Sequence, residues 1–322
     1  MSKVRAAVIG AGAFGKNHVR VIHQLPDIEL CGVVDIDFAK AQALAKEYDA
    51  PACGTVDDLA ATIDAAIVAT PTTTHEEVTT RLLESGVDVL VEKPIASSSE
   101  AGMRLARLAG EHGRILQVGH LERFNPAVTA LENAITIPLF FEVHRLSVFT
   151  RRSLDIDVVL DLMIHDLDIV LSLTRETPQE IRAAGISVLS GKVDIANVRL
   201  SFASGCVANL TASRVSTEKI RKLRVFQPGE YISLDYHRQE ALRLAIRKNE
   251  PNLPEIGFES LKVERGEPLQ LELAAFFHSV RTRSKPRVDG FQASSALALA
   301  QDILAKIKEH ADLVAETIRR RR

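Results

Sequence analysis

The chain has 322 residues, 46% hydrophobic and 25% charged, which is ordinary globular composition for two domains rather than one. Its 40 basic and 42 acidic side chains leave a formal charge of -2, which argues against a general nucleic-acid binder. Cys31, Cys53 and Cys206 are odd in number and form no CxxC pair, so neither a disulfide framework nor a zinc site is expected, and a reducing cytoplasm fits. The apolar run after Met1 is too short for a signal peptide, and no stretch is long enough to span a bilayer.

The first third alternates. Continuous apolar runs at Ala6–Ile9, Glu29–Val34, Ala65–Ala69, Val87–Val91 and Ile115–Val118 read as strands covered on both faces. Helical patterns at Phe14–Gln24, Phe38–Tyr48, His75–Glu84 and Ser98–His112 separate them. That rhythm predicts βαβ units and a parallel sheet. After Pro126 it changes. A helix is predicted over Asp157–Leu173. Strand-like runs follow at Ile186–Leu189, Ala196–Phe202, Val207–Ala212, Leu223–Phe226 and Tyr231–Leu234, with no helix between them. The polar stretch His237–Glu267 reads mainly as loops, and helices near Leu269–Arg283 and Gln292–Arg319 close the chain. The fold class is therefore α/β: a Rossmann dinucleotide-binding domain (residues 1–122), then an α+β domain (residues 123–322) with an open, mainly antiparallel sheet. The closing Arg319–Arg322 run reads as a solvated tail.

Gly10-Ala11-Gly12-Ala13-Phe14-Gly15 is a complete G-x-G-x-x-G between a predicted strand and a predicted helix. Gly10 suits the tight turn, Gly12 the approach of a pyrophosphate, and Gly15 the packing of helix on strand. The N–H groups and positive dipole end at Ala13 and Phe14 face the phosphates. Asp35, 20 residues after Gly15, suits the adenosine ribose and would repel a 2′-phosphate, so NAD is expected over NADP; Lys40 is a cation within reach. Thr70-Pro71-Thr72 and Glu92-Lys93-Pro94 stand at two further strand ends, where open α/β sheets bind ligands.

The segment Asp157–Leu173 carries the most informative pattern. Asp157, Asp161, His165 and Asp168 recur at spacings of four, four and three on an otherwise apolar helix, and so would share one face. Burying them without purpose is costly, which points to a polar cavity. A hydrogen-bond network, a metal site, or a catalytic histidine with an orienting carboxylate all fit the stripe. The upstream NAD fingerprint favours the third, because alcohol oxidation needs a base, and no second His or Cys cluster supports a metal.

Four motifs occur in order: Gly10-x-Gly12-x-x-Gly15, Glu92-Lys93-Pro94, Arg123-Phe124-Asn125-Pro126 and Asp161-x-x-x-His165-x-x-Asp168. Together, and with the late Glu272–Phe276 segment, they resemble the Gfo/Idh/MocA oxidoreductases over nearly the whole chain. The resemblance implies Lys93 at the hydroxyl being oxidised, His165 as general acid/base with Asp161 beside it, and a cis bond before Pro94. It implies Glu92, Lys93, Thr70, Pro71 and His75 near the nicotinamide half of NAD. It also implies a homodimer or homotetramer formed through the open sheet. One departure is Asp157-Val158-Val159-Leu160, where relatives carry a glycine-rich run.

Within the family, Val118–Pro126 and Asp161–Asp166 look most like members that oxidise C3 of UDP-N-acetylglucosamine and pass a 3-keto sugar to an aminotransferase of lipid A synthesis. On that resemblance His120, Arg123, Asn125, Arg151 and Arg152 join Lys93, Asp161 and His165 as substrate residues. Arg151-Arg152 and Arg214-Lys219-Arg221 suit a pyrophosphate, or are solvated charges. The alternatives are an inositol or free-sugar dehydrogenase, and a non-catalytic NAD-binding regulator.

Overall fold

The structure is a computed structural model, and it describes residues 3–150, 155–250 and 253–321. From the N-terminus, strands and helices alternate: β1 (Val4–Ile9), α1 (Ala13–Gln24), β2 (Ile28–Val34), α2 (Phe38–Glu47), β3 (Ala52–Cys53), α3 (Asp57–Ala60), β4 (Ala65–Val68), α4 (Thr72–Glu84), β5 (Asp88–Glu92), α5 (Ser99–Glu111) and β6 (Leu116–Gly119). The six strands form one parallel sheet in the order β3-β2-β1-β4-β5-β6. This is the doubly wound order whose reversal beside β1 opens a ligand crevice at the strands' carboxyl ends. β4 is buried at every residue, as its unbroken apolar run requires. The alternation was legible; β3 and α3, at two and four residues, are too short to leave a period.

The later elements are α6 (Pro126–Ala134), β7 (Phe140–Val148), α7 (Ile164–Thr174), β8 (Glu180–Ile186), β9 (Ile195–Ser201), β10 (Val207–Ser216), β11 (Ile220–Gln227), β12 (Glu230–Asp235), β13 (Glu240–Glu250), β14 (Leu253–Ser260), α8 (Pro268–Thr282) and α9 (Gly290–Arg321). β7 to β14 form an eight-stranded sheet in the order β14-β13-β12-β11-β7-β10-β9-β8. Only the β7–β10 pairing is parallel, so the sheet is mainly antiparallel as expected.

Three expectations are corrected. Residues 237–267 are not mainly loops, because β13 and β14 lie there as a hairpin. Their charge is accommodated by cross-strand pairing: Arg243 lies 3.2 Å from Glu230 and 3.7 Å from Glu259. Ile186–Leu189 is not a strand; the strand is Glu180–Ile186, and Val188 and Leu189 lie exposed in the turn that follows. The Asp194 carboxylate holds that turn by accepting from the backbone N–H groups of Val188, Leu189 and Ser190 at 2.7–2.9 Å. Burial pushes its pKa up, but the Ser190 hydroxyl, donating at 2.6 Å, and those backbone bonds outweigh it and hold the pKa well below the ordinary carboxylate value. Lastly, Asp157–Leu173 is not one regular helix. Val159–Met163 is a π-helical turn in which the Ile164 N–H reaches back to the Val159 carbonyl, and α7 starts only after it.

The chain divides into two compact units: Met1–Leu121 with Glu267–Leu297, and Glu122–Gly266 with Ala298–Arg322. In the first, Leu273, Phe276, Phe277 and Val280 of α8 pack into the apolar core under β1, β2 and α1. Among the described residues no helix is long and apolar enough to cross a membrane.

Candidate active site

In the first unit the glycine-rich turn has the form the sequence predicts. Gly10 has φ +105°, and a Cβ there would sit 2.5 Å from the Ala69 carbonyl oxygen. A Cβ on Gly15 would lie 1.7 Å from the Gly10 carbonyl oxygen, so the helix can approach the turn only with glycine there. Gly12 is different: nothing lies within 4 Å of its Cβ position. It caps α1 without a side-chain hydrogen bond, next to the exposed Ala13 and Phe14. Open space in front of an uncapped helix N-terminus fits a dinucleotide pyrophosphate.

Asp35, at the end of β2, accepts from the Ala11 N–H at 2.7 Å through one oxygen and from the Asp37 N–H at 2.9 Å through the other. It thereby locks the glycine turn to the next strand and keeps lone pairs for a ribose. Lys40 lies 3.2 Å from Asp37. The residues present fit NAD: glycines where backbone must come close, and a carboxylate where a 2′-phosphate would be repelled.

Two further strand ends complete this edge. Thr70-Pro71 follows β4, with Pro71 capping α4. Glu92-Lys93-Pro94 follows β5, with a cis bond between Lys93 and Pro94. Lys93 is half-buried. Glu92 bonds His18 of α1 at 2.7 Å between Oε1 and Nε2. Burial alone pushes the Glu92 pKa up. The His18 hydrogen bond and the charges of His18, Lys93 and His75 outweigh that and bring it below the ordinary carboxylate value. His75 is 1% exposed, with Nδ1 2.8 Å from the Pro94 carbonyl and Nε2 2.9 Å from the Thr70 carbonyl. Both ring nitrogens are thus engaged by backbone. His120 is buried just past the end of β6. Glu272 of α8, 1% exposed, was not foreseen as ionisable machinery; burial and the Glu92 charge push its pKa well above the ordinary value.

In the second unit, His165 is half-buried on the first turn of α7 and Asp161 half-buried in the π-turn before it. The other stripe carboxylates are held elsewhere. Asp157 accepts from the Val193 N–H at 2.8 Å, and Asp168 lies 3.5 Å from Arg123. Asp157 precedes the helical segment and Asp168 pairs with Arg123, so the four positions do not act as one face. Asp166, which the stripe omitted, is the more deeply committed group. Arg145 of β7 grips it at 2.7 and 2.8 Å and reaches Glu122 at 2.8 Å. The Tyr236 hydroxyl donates to Asp166 at 3.2 Å. A buried arginine facing a carboxylate was the missed signal, but Arg145 sits 21 residues away and only the sheet brings it near.

Among the remaining candidates, Asn125 and Arg221 both meet Glu122. Arg123 is buried with Glu132 at 3.2 Å as well as Asp168. Asn125 is buried, donates to Glu122 and to the Tyr236 carbonyl, and caps α6 by accepting from the Ala127 N–H. Arg214 is buried and bonds the Ile156 carbonyl. Lys219 is exposed, and Arg221 is half-buried 3.5 Å from Glu122. Arg151 and Arg152 lie outside the described residues.

A parallel 3-2-1-4-5-6 sheet bearing this glycine turn, with a carboxylate at the end of β2, defines a dinucleotide-binding Rossmann domain. Residues 4–120 match the family described as "Oxidoreductase family, NAD-binding Rossmann fold", and residues 109–227 match the "GFO/IDH/MocA C-terminal domain". The chain belongs to the Gfo/Idh/MocA oxidoreductase family and is an NAD-dependent dehydrogenase of the class acting on CH–OH groups.

It is 34% identical to the UDP-N-acetylglucosamine 3-dehydrogenase of Acidithiobacillus ferrooxidans over 96% of this chain and 98% of that protein. A solved structure of that dehydrogenase superposes with a TM-score of 0.91 at 33% identity, over 96% of this chain and 99% of the other. An inositol 2-dehydrogenase of Rhizobium meliloti is 26% identical over 95% of this chain and 97% of its own length. A myo-inositol dehydrogenase structure from Corynebacterium glutamicum, at 24% identity and TM-score 0.79 over 95% of this chain and 97% of that one, shares the fold.

Proposed function

We propose that the protein oxidises the C3 hydroxyl of a UDP-N-acetylglucosamine-type nucleotide sugar to a ketone. The observation that carries this reading is likeness along the whole chain to a dehydrogenase of that substrate, at higher identity than to the inositol dehydrogenase. NAD, when bound, supplies the carbon that accepts the hydride. Gly10, Gly12, Ala13, Phe14, Gly15 and Asp35 hold it, with Thr70, Pro71 and Glu92 at the neighbouring strand ends.

Lys93 holds the reacting hydroxyl by donating a hydrogen bond from its ammonium to the oxygen. His165 takes the hydroxyl proton, and Asp161 orients it. The charge on Lys93 also favours the alkoxide character that develops on that oxygen. Of the other cations, Arg221 is the one this reading assigns to the substrate's anionic half. Arg123, Asn125 and Arg214 are committed inside their own unit and support the elements around them.

The product is a 3-keto nucleotide sugar, which suits a downstream aminotransferase, and a homo-oligomeric enzyme working in the cytoplasm fits the family resemblance. The test is reduction of NAD followed by the reduced-nicotinamide absorbance, with UDP-N-acetylglucosamine, other UDP-sugars, myo-inositol and free glucose as substrates. Turnover with the UDP-N-acetylated sugar above all others is expected. Preference for myo-inositol or a free sugar would overturn the substrate, and so would turnover with none of them.

A further inference from the structure

Lys93 sits between two residues that are each held by a buried imidazole. On its N-terminal side the Glu92 carboxylate meets His18 Nε2 at 2.7 Å. On its C-terminal side the Pro94 carbonyl lies 2.8 Å from His75 Nδ1. The two histidines come from different helices, α1 and α4, and both are essentially inaccessible to solvent. His18 Nδ1 has no hydrogen-bond partner among the described residues, so Glu92 is what fixes that ring. The other nitrogen of His75 faces the Thr70 carbonyl at 2.9 Å, so one ring spans the turns that follow β4 and β5.

Both rings are buried and turned to protein groups. A neutral imidazole has one N–H, so His75 can donate to only one of its two carbonyls unless it is charged. A hydrophobe of that size would leave these two carbonyls without the ring's N–H, so the imidazole is matched to the backbone of two loops and is not simple filling. Its position is explained if the loops must stay in register with one another.

We propose that His18 and His75 are positioning residues that bracket Lys93, fixing the turn on which it sits from both sides. The proposal rests on the reading of Lys93 as the group that holds the reacting hydroxyl. It adds that His75 acts through backbone carbonyls and not by contact with the cofactor. A reacting group displaced by about 1 Å loses around a hundredfold in rate, so bracketing has a direct kinetic consequence.

The test uses the full-length protein carrying His75→Ala, His75→Asn or His75→Gln, and His18→Ala or His18→Gln. An asparagine amide reaches the place of Nδ1 and can still donate to Pro94; a glutamine amide reaches toward the place of Nε2 and Thr70. Two readouts are taken. The first is the acetylation rate of Lys93 in the protein without NAD, by mass spectrometry, with the other lysines as internal controls. The second is kcat, KM and, by calorimetry, the Kd for NAD.

Expected are altered Lys93 reactivity in both alanine variants with the other lysines unchanged, and kcat lowered by about ten- to a hundredfold. NAD affinity should fall much less than kcat, because the glycine turn and Asp35 hold most of the dinucleotide while Thr70 and Glu92 only border it. Activity and Lys93 reactivity should recover more in His75→Asn than in His75→Gln or His75→Ala, and more in His18→Gln than in His18→Ala. Unchanged Lys93 reactivity in folded alanine variants, or equal losses in His75→Asn and His75→Ala, would overturn the bracket. A fully active Lys93→Met would instead overturn the role given to Lys93, and the acetylation readout would still decide the bracket.

Discussion

Arg145 holds Asp166 by two parallel hydrogen bonds, Nε to Oδ2 at 2.7 Å and Nη2 to Oδ1 at 2.8 Å, with both side chains 2% exposed. Asp166 is the residue next to His165, so β7 fixes the start of α7 from inside the sheet. Glu122 at 2.8 Å engages its third nitrogen, Nη1, and the Tyr236 ring centroid lies 5.0 Å from its guanidinium carbon. Burial disfavours the charge on Arg145, but the two carboxylates outweigh it and raise its pKa well above the ordinary value. Arg221, directly opposite Arg145 in the β11–β7 register, is tolerated because Glu122 also faces it.

Breaking one side of a buried ion pair leaves the other charge uncompensated, typically at about 3–5 kcal/mol. Arg145→Met should destabilise the protein by about that amount in denaturant unfolding. Adding Asp166→Asn removes the orphaned charge, so the double variant should unfold later than Arg145→Met alone. Additive losses would show that the pair is not a coupled unit.

Glu272 gives the pH dependence a definite sign. Burial and the Glu92 charge raise its pKa well above the ordinary glutamate value, so the folded state keeps its proton where the unfolded state has released it. Its stabilising contribution is therefore complete below the unfolded value of about 4.3 and is lost as pH rises towards the folded one. Glu272→Gln keeps the shape without the titration. Its Tm should match the parent near pH 4 and exceed it at pH 8, flattening the alkaline decline. Parallel Tm profiles for the two proteins would contradict the raised pKa.

The Rossmann half was readable because its strands are buried on both faces and so carry no competing polar code. The glycine turn, moreover, is specified by contacts within a few residues of itself. The second sheet was less readable for the opposite reason. Up to Arg247, β13 carries its charges at Glu240, Arg243 and Arg247, a spacing without the period of two that marks a strand, and it is held by pairing with β12 and β14, which no local window contains. The apolar Ile186-Ser187-Val188-Leu189 run imitates a strand although Asp194 holds Val188 and Leu189 in a turn. Spacing correctly singled out the helix around His165. The register on that helix did not decide the partners, because they come from other elements: Asp157 accepts from Val193, Asp168 lies by Arg123, and the unmarked Asp166 meets Arg145. Lys93, Glu92 and His75 could be named from their order in the chain, but the bonds that join His18 to Glu92 and His75 to two loops needed coordinates.

Asp35 sets the cofactor preference. NAD should bind more tightly than NADP, because the carboxylate accepts from a ribose and repels a 2′-phosphate. Hydrogen bonds to a charged group contribute about 1.5–3 kcal/mol, so Asp35→Ala should weaken NAD by about ten- to a hundredfold. NADP should weaken much less, since the lost repulsion offsets the loosened glycine turn that Asp35 also anchors at Ala11. Calorimetry with both dinucleotides measures this, and equal affinities in the unmutated protein would refute it.

His165 is assigned the hydroxyl proton, and its variant separates chemistry from binding. General-base groups contribute about a hundred- to ten-thousandfold. His165→Ala should lower kcat within that range while NAD binds as before, because the glycine turn and Asp35 lie in the other unit of the chain. The structure bears on the control as well: His165 is half-buried on the first turn of α7, whose anchoring falls to its neighbour Asp166. The Tm of His165→Ala should therefore fall far less than that of Arg145→Met. Alkaline assay adds a second criterion. If His165 is the base, hydroxide from solvent takes over part of its task, so the loss in His165→Ala should shrink as pH rises. In Lys93→Met, which lacks the hydrogen bond and charge rather than the base, the loss should persist across the same range. A folded His165→Ala with nearly full turnover at neutral pH would remove the histidine from the chemistry. A loss that does not change with pH would make it a binding group for the substrate instead.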